Sequence, residues 1–171
     1  MNDEIGIFIG RFQPFHLGHD SIVKRMIEDN LNIILIVICG PPSPLDFSQR
    51  ETMIKQKFDN NNIKFIFMED FNNLTLWYNE LMNKINTKFK DLKKIFYGHQ
   101  KDVDKNKFIF KDKEYYGHYY DIFEIENHEV RYLDNFKNIN ARDIKFNKLL
   151  AKEYLDEEVF KYLLSINFYD V

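Results

Sequence analysis

The sequence is short of most features that would place it outside the cell or in a membrane. It holds one cysteine, Cys39, in 171 residues, so no intrachain disulfide can form and a reducing compartment is expected. Its longest apolar run, Ile33 to Cys39, falls far below the roughly 20 residues that span a bilayer. The first residues, Met1 to Arg11, are too acidic and too briefly apolar for a signal peptide. An excess of either charge is also missing: 24 basic and 27 acidic residues leave a net −3. Without a global electropositive field, nucleic acid is excluded as an expected partner, and any polyanion must be gripped locally. What is present is a 44% hydrophobic, 16% aromatic and 30% charged composition, which is that of a globular chain with a buried core. One domain covering residues 1–171 and a cytoplasmic location, with no membrane partner, are the expectations.

Periodicity predicts alternating elements. A strand from Glu4 to Ile9 leads into a loop, Gly10 to Gly18, and a helix from His19 to about Asn30 carries apolar residues Ile22, Val23, Met26 and Ile27 at helical spacing. Ile33 to Cys39 is apolar throughout and rich in branched side chains, as in the middle strand of a parallel sheet covered on both faces. Pro41, Pro42 and Pro44 force a loop, and Asp46 with Gln49 forms a capping-box pattern that opens a helix to about Phe58. Strands are predicted at Ile63–Met68, Lys94–Tyr97 and Asp121–Glu126, with helices at Leu74–Thr87, Asn140–Lys152 and Asp156–Ile166. The alternation implies an α/β fold, a Rossmann-like open parallel sheet with helices on both faces.

The chemistry is concentrated in Gly10-Arg11-Phe12-Gln13-Pro14-Phe15-His16-Leu17-Gly18-His19, between the first strand and the first helix. Ligands of open parallel sheets bind beyond the carboxyl ends of the strands, where a helix N-terminus offers free N–H groups and a positive dipole to an anion. His16 and His19 stand on either side of Gly18, which lets the backbone approach a ligand, and together they can donate hydrogen bonds to a polyphosphate. Taken alone, the histidines also suit a plain helix start and an incidental loop residue.

The longer run, Gly-Arg-Phe-Gln-Pro-Phe-His-x-Gly-His, resembles the nicotinamide-nucleotide adenylyltransferases of the archaeal type. That type belongs to the HxGH nucleotidyltransferase superfamily and also forms the N-terminal domain of bifunctional adenylyltransferase–Nudix proteins. The resemblance implies that the 5′-phosphate of nicotinamide mononucleotide attacks the α-phosphorus of ATP, giving NAD and pyrophosphate with no covalent enzyme intermediate. Such a reaction needs in-line positioning and neutralisation of charge more than a nucleophile. It implies His16, His19 and Arg11 as the catalytic set, with Gly10, Phe12 and Gly18 in the ATP loop. It further implies Mg²⁺ bridging the phosphate oxygens, held mainly by nucleotide and water, so that no protein metal ligand is named. The side chains of Phe12 and Phe15 read as packing residues.

Other stretches extend the likeness. Pro44 to Ile54 is similar to the family's Pro-Phe-Thr/Ser and the helix after it, with Asp46 as an equally good N-cap. Asp70 followed by Trp77 resembles the archaeal pattern whose tryptophan stacks on the nicotinamide ring. Gly98-His99-Gln100-Lys101-Asp102 resembles the bifunctional subgroup's Gly-His-x-Lys-Asp, which makes Asp70, Trp77, Gly98, His99, Lys101 and Asp102 the implied mononucleotide set. His118 and His128 have no such context.

The family's second phosphate signature, Ile-Ser-x-Thr-x-x-Arg, is altered here to Ile139-Asn140-Ala141-Arg142-Asp143-Ile144-Lys145. Asn140 replaces serine as a cap, and Lys145 stands where a bidentate arginine is usual, a change that removes a planar fork. A charge-assisted contact is worth roughly 1.5–3 kcal/mol, so the rate should fall about tenfold unless Arg142 reaches the β- or γ-phosphate. Asn140, Arg142 and Lys145 thus complete the expected phosphate set. Three of the five arginines, Arg11, Arg50 and Arg142, fall within or beside these motifs. No Nudix signature follows the closing helices, so a stand-alone transferase is expected. Two alternatives remain: transfer to another phosphorylated acceptor, and a nucleotide sensor with weakened catalysis. The choice between the amide and acid mononucleotides is open, and the aromatic content allows a homo-oligomer.

Overall fold

The computed structural model describes residues 3–100, 105–134 and 141–169. The elements run β1 (Glu4–Gly10), α1 (Leu17–Glu28), β2 (Ile33–Cys39), α2 (Phe47–Lys55), β3 (Ile63–Met68), α3 (Leu74–Phe89) and β4 (Lys93–Gln100). After these come a hairpin of β5 (Asn106–Phe110) and β6 (Lys113–Gly117), a 3₁₀ turn (Tyr119–Asp121), α4 (Ile122–Ile125), β7 (Glu129–Asp134), α5 (Ala141–Lys145), α6 (Lys148–Tyr154) and α7 (Glu157–Ser165).

Five strands form a parallel sheet in the order β3-β2-β1-β4-β7, the open parallel sheet that the alternation of elements predicts. Side chains along a strand alternate between faces. In β2, Ile34, Ile36 and Ile38 enter one apolar cluster, under α1, α2 and the closing helices, while Leu35, Val37 and Cys39 enter the other, under α3 and α4. Each fully buried branched or aromatic side chain contributes roughly 1.5–3 kcal/mol, so a strand buried on both faces anchors both layers. The chain order reverses direction between β1 and β4. This is the switch point at which open sheets leave a crevice beyond the strand ends.

Three expectations need correction. Asp121–Glu126 is not a strand: the His118 side chain accepts from the Tyr120 N–H, and the Asp121 carboxylate accepts from the His118 N–H, which winds this segment into the 3₁₀ turn and α4. The winding lays Phe123 flat on Phe96 at 3.9 Å. The fifth strand is β7, whose charged residues, half-exposed Glu129 and Arg131 and exposed Asp134, hide it from a periodicity reading. The helix expected from Asn140 to Lys152 is two short ones, because the Asn147 side chain caps a new start at Leu150 N–H.

Candidate active site

The helix α1 begins two residues earlier than the sequence predicts, because an imidazole serves as its cap. His16 Nδ1 accepts from the N–H groups of Gly18 (3.1 Å) and His19 (3.4 Å), while His19 Nδ1 accepts from the His16 N–H at 3.1 Å. This reciprocal arrangement is a capping box built from two histidines. It stacks their rings at 3.7 Å and 17°. Since each Nδ1 accepts, the proton of each neutral ring sits on Nε2, so the nitrogens that can donate are the two Nε2 atoms at a helix N-terminus.

The turn is braced from below and beside. A side chain at Gly18 would collide with the His16 ring at 2.8–2.9 Å, so the glycine makes room for that imidazole, where the sequence reading had reserved the space for a ligand. The Gly18 carbonyl accepts from Ser21 Oγ (2.7 Å) and from His99 Nε2 (2.9 Å), which ties the end of β4 to α1. Among the described residues the remaining His99 nitrogen, Nδ1, is buried without a partner. Phe12, Phe15 and Phe8 surround the His19 ring with centroids 4.9–6.0 Å away, and Phe12 and Phe15 are both 1% exposed. The Phe12 side chain is therefore part of the core, and this residue of the expected ATP loop is not on the cavity wall.

A cavity of about 700 Å³ opens at the carboxyl ends of β1 and β4. Its wall carries Gly10, Arg11, His19, Asp70, Trp77, Gly98 and His99 from the predicted set. His16 lies behind His19, buried, and is not on the wall. Arg11 Nη2 and Asp70 Oδ2 are 3.4 Å apart on largely exposed side chains, a contact worth little in water and readily given up to a stronger anion. Gly40, at φ 93°, leaves room for the Arg11 stem, which passes 3.3 Å from where a Cβ would stand. Trp77 is 7% exposed, with Tyr119 at right angles 6.2 Å away, so it lines the cavity with a small part of its surface while most of that surface is core.

Arg142 and Lys145 lie on α5 and are not on the wall; Lys145 Nζ sits 5.3 Å from the Phe146 ring. Lys101, Asp102 and Asn140 lie outside the described residues. The wall also contains groups that motif reading missed: Cys39, Phe71, Asn72, His118, Tyr119, Tyr120 and Tyr132. Only Cys39 could have been anticipated, as the last residue of a central strand. Its thiol donates to the Gly10 carbonyl at 3.4 Å, and burial pushes its pKa up to about 11, so it is a neutral wall group at physiological pH and not a nucleophile.

The cytidylyltransferase-like family model matches residues 7–96, the span from β1 into β4 that builds most of this wall. The chain belongs to the cytidylyltransferase-like family. Among curated relatives, this cytidylyltransferase-like chain is similar to a nicotinamide-nucleotide adenylyltransferase of Methanolobus tindarius, 31% identical over 83 residues, which are 44% of this chain and 48% of that one. It is also similar to one of Thermoplasma volcanium, 36% identical over 77 residues, 40% and 43% of the two chains. The matched segments thus span under half of those relatives. Among solved structures, the bifunctional NMN adenylyltransferase/ADP ribose pyrophosphatase of Francisella tularensis aligns with a TM-score of 0.74 at 24% identity, over 100% of this chain and 51% of that one. That agreement fixes the cytidylyltransferase-like chain as a Rossmann-like nucleotidyltransferase fold. Among the described residues no helix is long and apolar enough to cross a membrane.

Proposed function

We propose that the chain is an adenylyltransferase that joins ATP and nicotinamide mononucleotide into NAD and pyrophosphate. The observation that carries this reading is the stacked His16–His19 pair at the N-terminus of α1, placed at the switch point with Arg11 and Trp77 on the same cavity. In this reading the ATP phosphates lie across the α1 N-terminus. There His19 Nε2–H and the Arg11 guanidinium hold oxygens on which charge grows, and His16, from behind, fixes the His19 ring. The 5′-phosphate oxygen of the mononucleotide forms its bond to the α-phosphorus as the bond to pyrophosphate breaks, and no covalent intermediate with the protein is required. The names of the archaeal relatives support nicotinamide mononucleotide as acceptor, and Trp77 on the same wall offers its ring an aromatic neighbour.

Mg²⁺ fits the site as a cation carried on the nucleotide. Among the described residues no cluster of three His, Cys, Asp or Glu could cage it, while Asp70 offers one carboxylate on the wall. When bound with ATP it would supply neutralisation of the phosphate charge; the protein's part is orientation. The test is incubation of the purified chain with ATP, Mg²⁺ and each of the two pyridine mononucleotides. Formation of NAD with stoichiometric pyrophosphate is the expected result. ATP binding with no dinucleotide product from either acceptor would overturn the reading in favour of a sensor.

A further inference from the structure

Arg50 is fully buried on α2, at 0% exposure. Its guanidinium spends its donors on main-chain carbonyls of three separate segments. Nη1 donates to Arg11 O (2.9 Å) and Cys39 O (2.8 Å), Nη2 to Pro41 O (3.1 Å) and Nε to Asp46 O (3.3 Å). Among the described residues it makes no ion pair. The two carboxylates that act on it through space are engaged elsewhere, Asp70 with Arg11 and Asp46 with the Gln49 N–H. A buried cation without a counter-ion is costly, and carbonyl dipoles offset only part of that cost.

Its placement gives the charge a purpose. Arg11 and Cys39, whose carbonyls it holds, both line the cavity, so the guanidinium lies directly behind that wall. Carbonyl oxygens at the ends of β1 and β2 would repel an anion, and Arg50 commits them to the interior. Holding the Arg11 carbonyl also sets the start of the Arg11 side chain, which then runs past Gly40 onto the wall. Gln13 braces the same two loops, with Nε2 donating to Leu45 O at 2.8 Å and Oε1 accepting from Leu45 N at 3.0 Å. The loops would therefore stay joined without Arg50, which makes a mere clamp an incomplete explanation for a charged residue here.

We infer that Arg50 is a positioning residue for the anion site: it turns the carbonyls of residues 11, 39 and 41 inward and sets a fixed positive charge behind a polyphosphate that brings the missing counter-charge. A lysine could supply the charge but not the planar fork that reaches carbonyls of separate segments. This rests on the reading of the cavity as a nucleotide phosphate site.

The experiment compares ATP and AMP binding by calorimetry, together with the NAD-forming rate, in wild type, Arg50→Met and Arg50→Lys, each checked for its melting temperature. Without Mg²⁺, Arg50→Met should weaken ATP by about thirtyfold and AMP by only about fivefold, because the lost field acts in proportion to ligand charge, about −4 against about −2. Arg50→Lys should keep ATP affinity within about threefold and lose about tenfold in kcat as a carbonyl is released. A merely structural role moves both nucleotides equally. Equal losses for ATP and AMP in Arg50→Met, or unchanged ATP affinity, would overturn the inference. If Arg50→Met does not fold, Arg50→Lys decides alone, and a wild-type kcat overturns it. Wild-type protein that binds neither nucleotide overturns the nucleotide reading itself and this inference with it, a result distinct from the others.

Discussion

Two helix starts resemble the family's phosphate-binding signatures in this chain, α1 with His16 and His19 and α5 with Arg142 and Lys145, and the fold treats them very differently. The helix α1 has 12 residues, a two-histidine cap, an aromatic seat and a tie from β4 through His99. The helix α5 has five residues, holds its place through buried Ile144 and the Tyr169 hydroxyl on the Ile144 carbonyl at 3.0 Å, and leaves Arg142 exposed. The first start is built into the wall of the cavity and the second stands off it. A motif contributes to a site when the packing behind it removes the freedom of its side chains.

The contrast can be broken or sharpened by measurement. His19→Ala should lower the NAD-forming rate by about 10²–10³, since it removes a donor fixed before charge develops; a twofold loss would place the two helices on a par. His16→Ala should cost a similar factor and also remove a cap worth about 1 kcal/mol, seen as a melting temperature lower by roughly 2–4 °C. Burial of the α1 mouth can be probed through Cys39. With its pKa raised to about 11, the thiolate fraction at pH 8 is about a hundredfold below that of an unshifted thiol. Iodoacetamide should therefore label Cys39 about a hundredfold more slowly than a cysteine introduced by Leu149→Cys on exposed α6. A raised thiol pKa also means that its contribution to stability is complete below about pH 9 and is lost as the pH rises through 11, so melting curves should hold from pH 7 to 9 and fall beyond. Arg11→Ala should cost about ten- to a hundredfold in rate, the worth of one charge-assisted contact. Arg142→Ala and Lys145→Ala should each change the rate by less than about threefold; a larger loss would bring α5 into the site when nucleotide binds.

The four strands β1 to β4 and the α1 mouth were legible because their signals are local. Ile33–Cys39 has one reading as a strand, and a ten-residue run from Gly10 to His19 leaves little choice of chemistry. The hairpin and β7 were not legible. Lys107 and Glu114 alternate with Phe108 and Tyr115 on strands that owe their order to Phe110 packing on Tyr78 at 5.4 Å, a contact between residues far apart in the chain. His118 shows the same limit. It stands on the cavity wall because it caps a 3₁₀ turn that the apolar pattern of Ile122 and Phe123 suggested was a strand. Arg50 lay within a recognised stretch, yet nothing in that stretch revealed that its partners would be carbonyls of three separate segments.

By itself the sequence determined the order of strands and helices from β1 to β4 and singled out the residues expected to bear the chemistry, because periodicity, caps and glycines act over a few neighbours. Only the tertiary structure decided which of those residues share a cavity, which imidazole faces it and which stays behind, and where a buried charge meets its dipoles. Those outcomes depend on packing between segments distant in the chain, where the cost of leaving a polar group or an aromatic face unpartnered selects one arrangement.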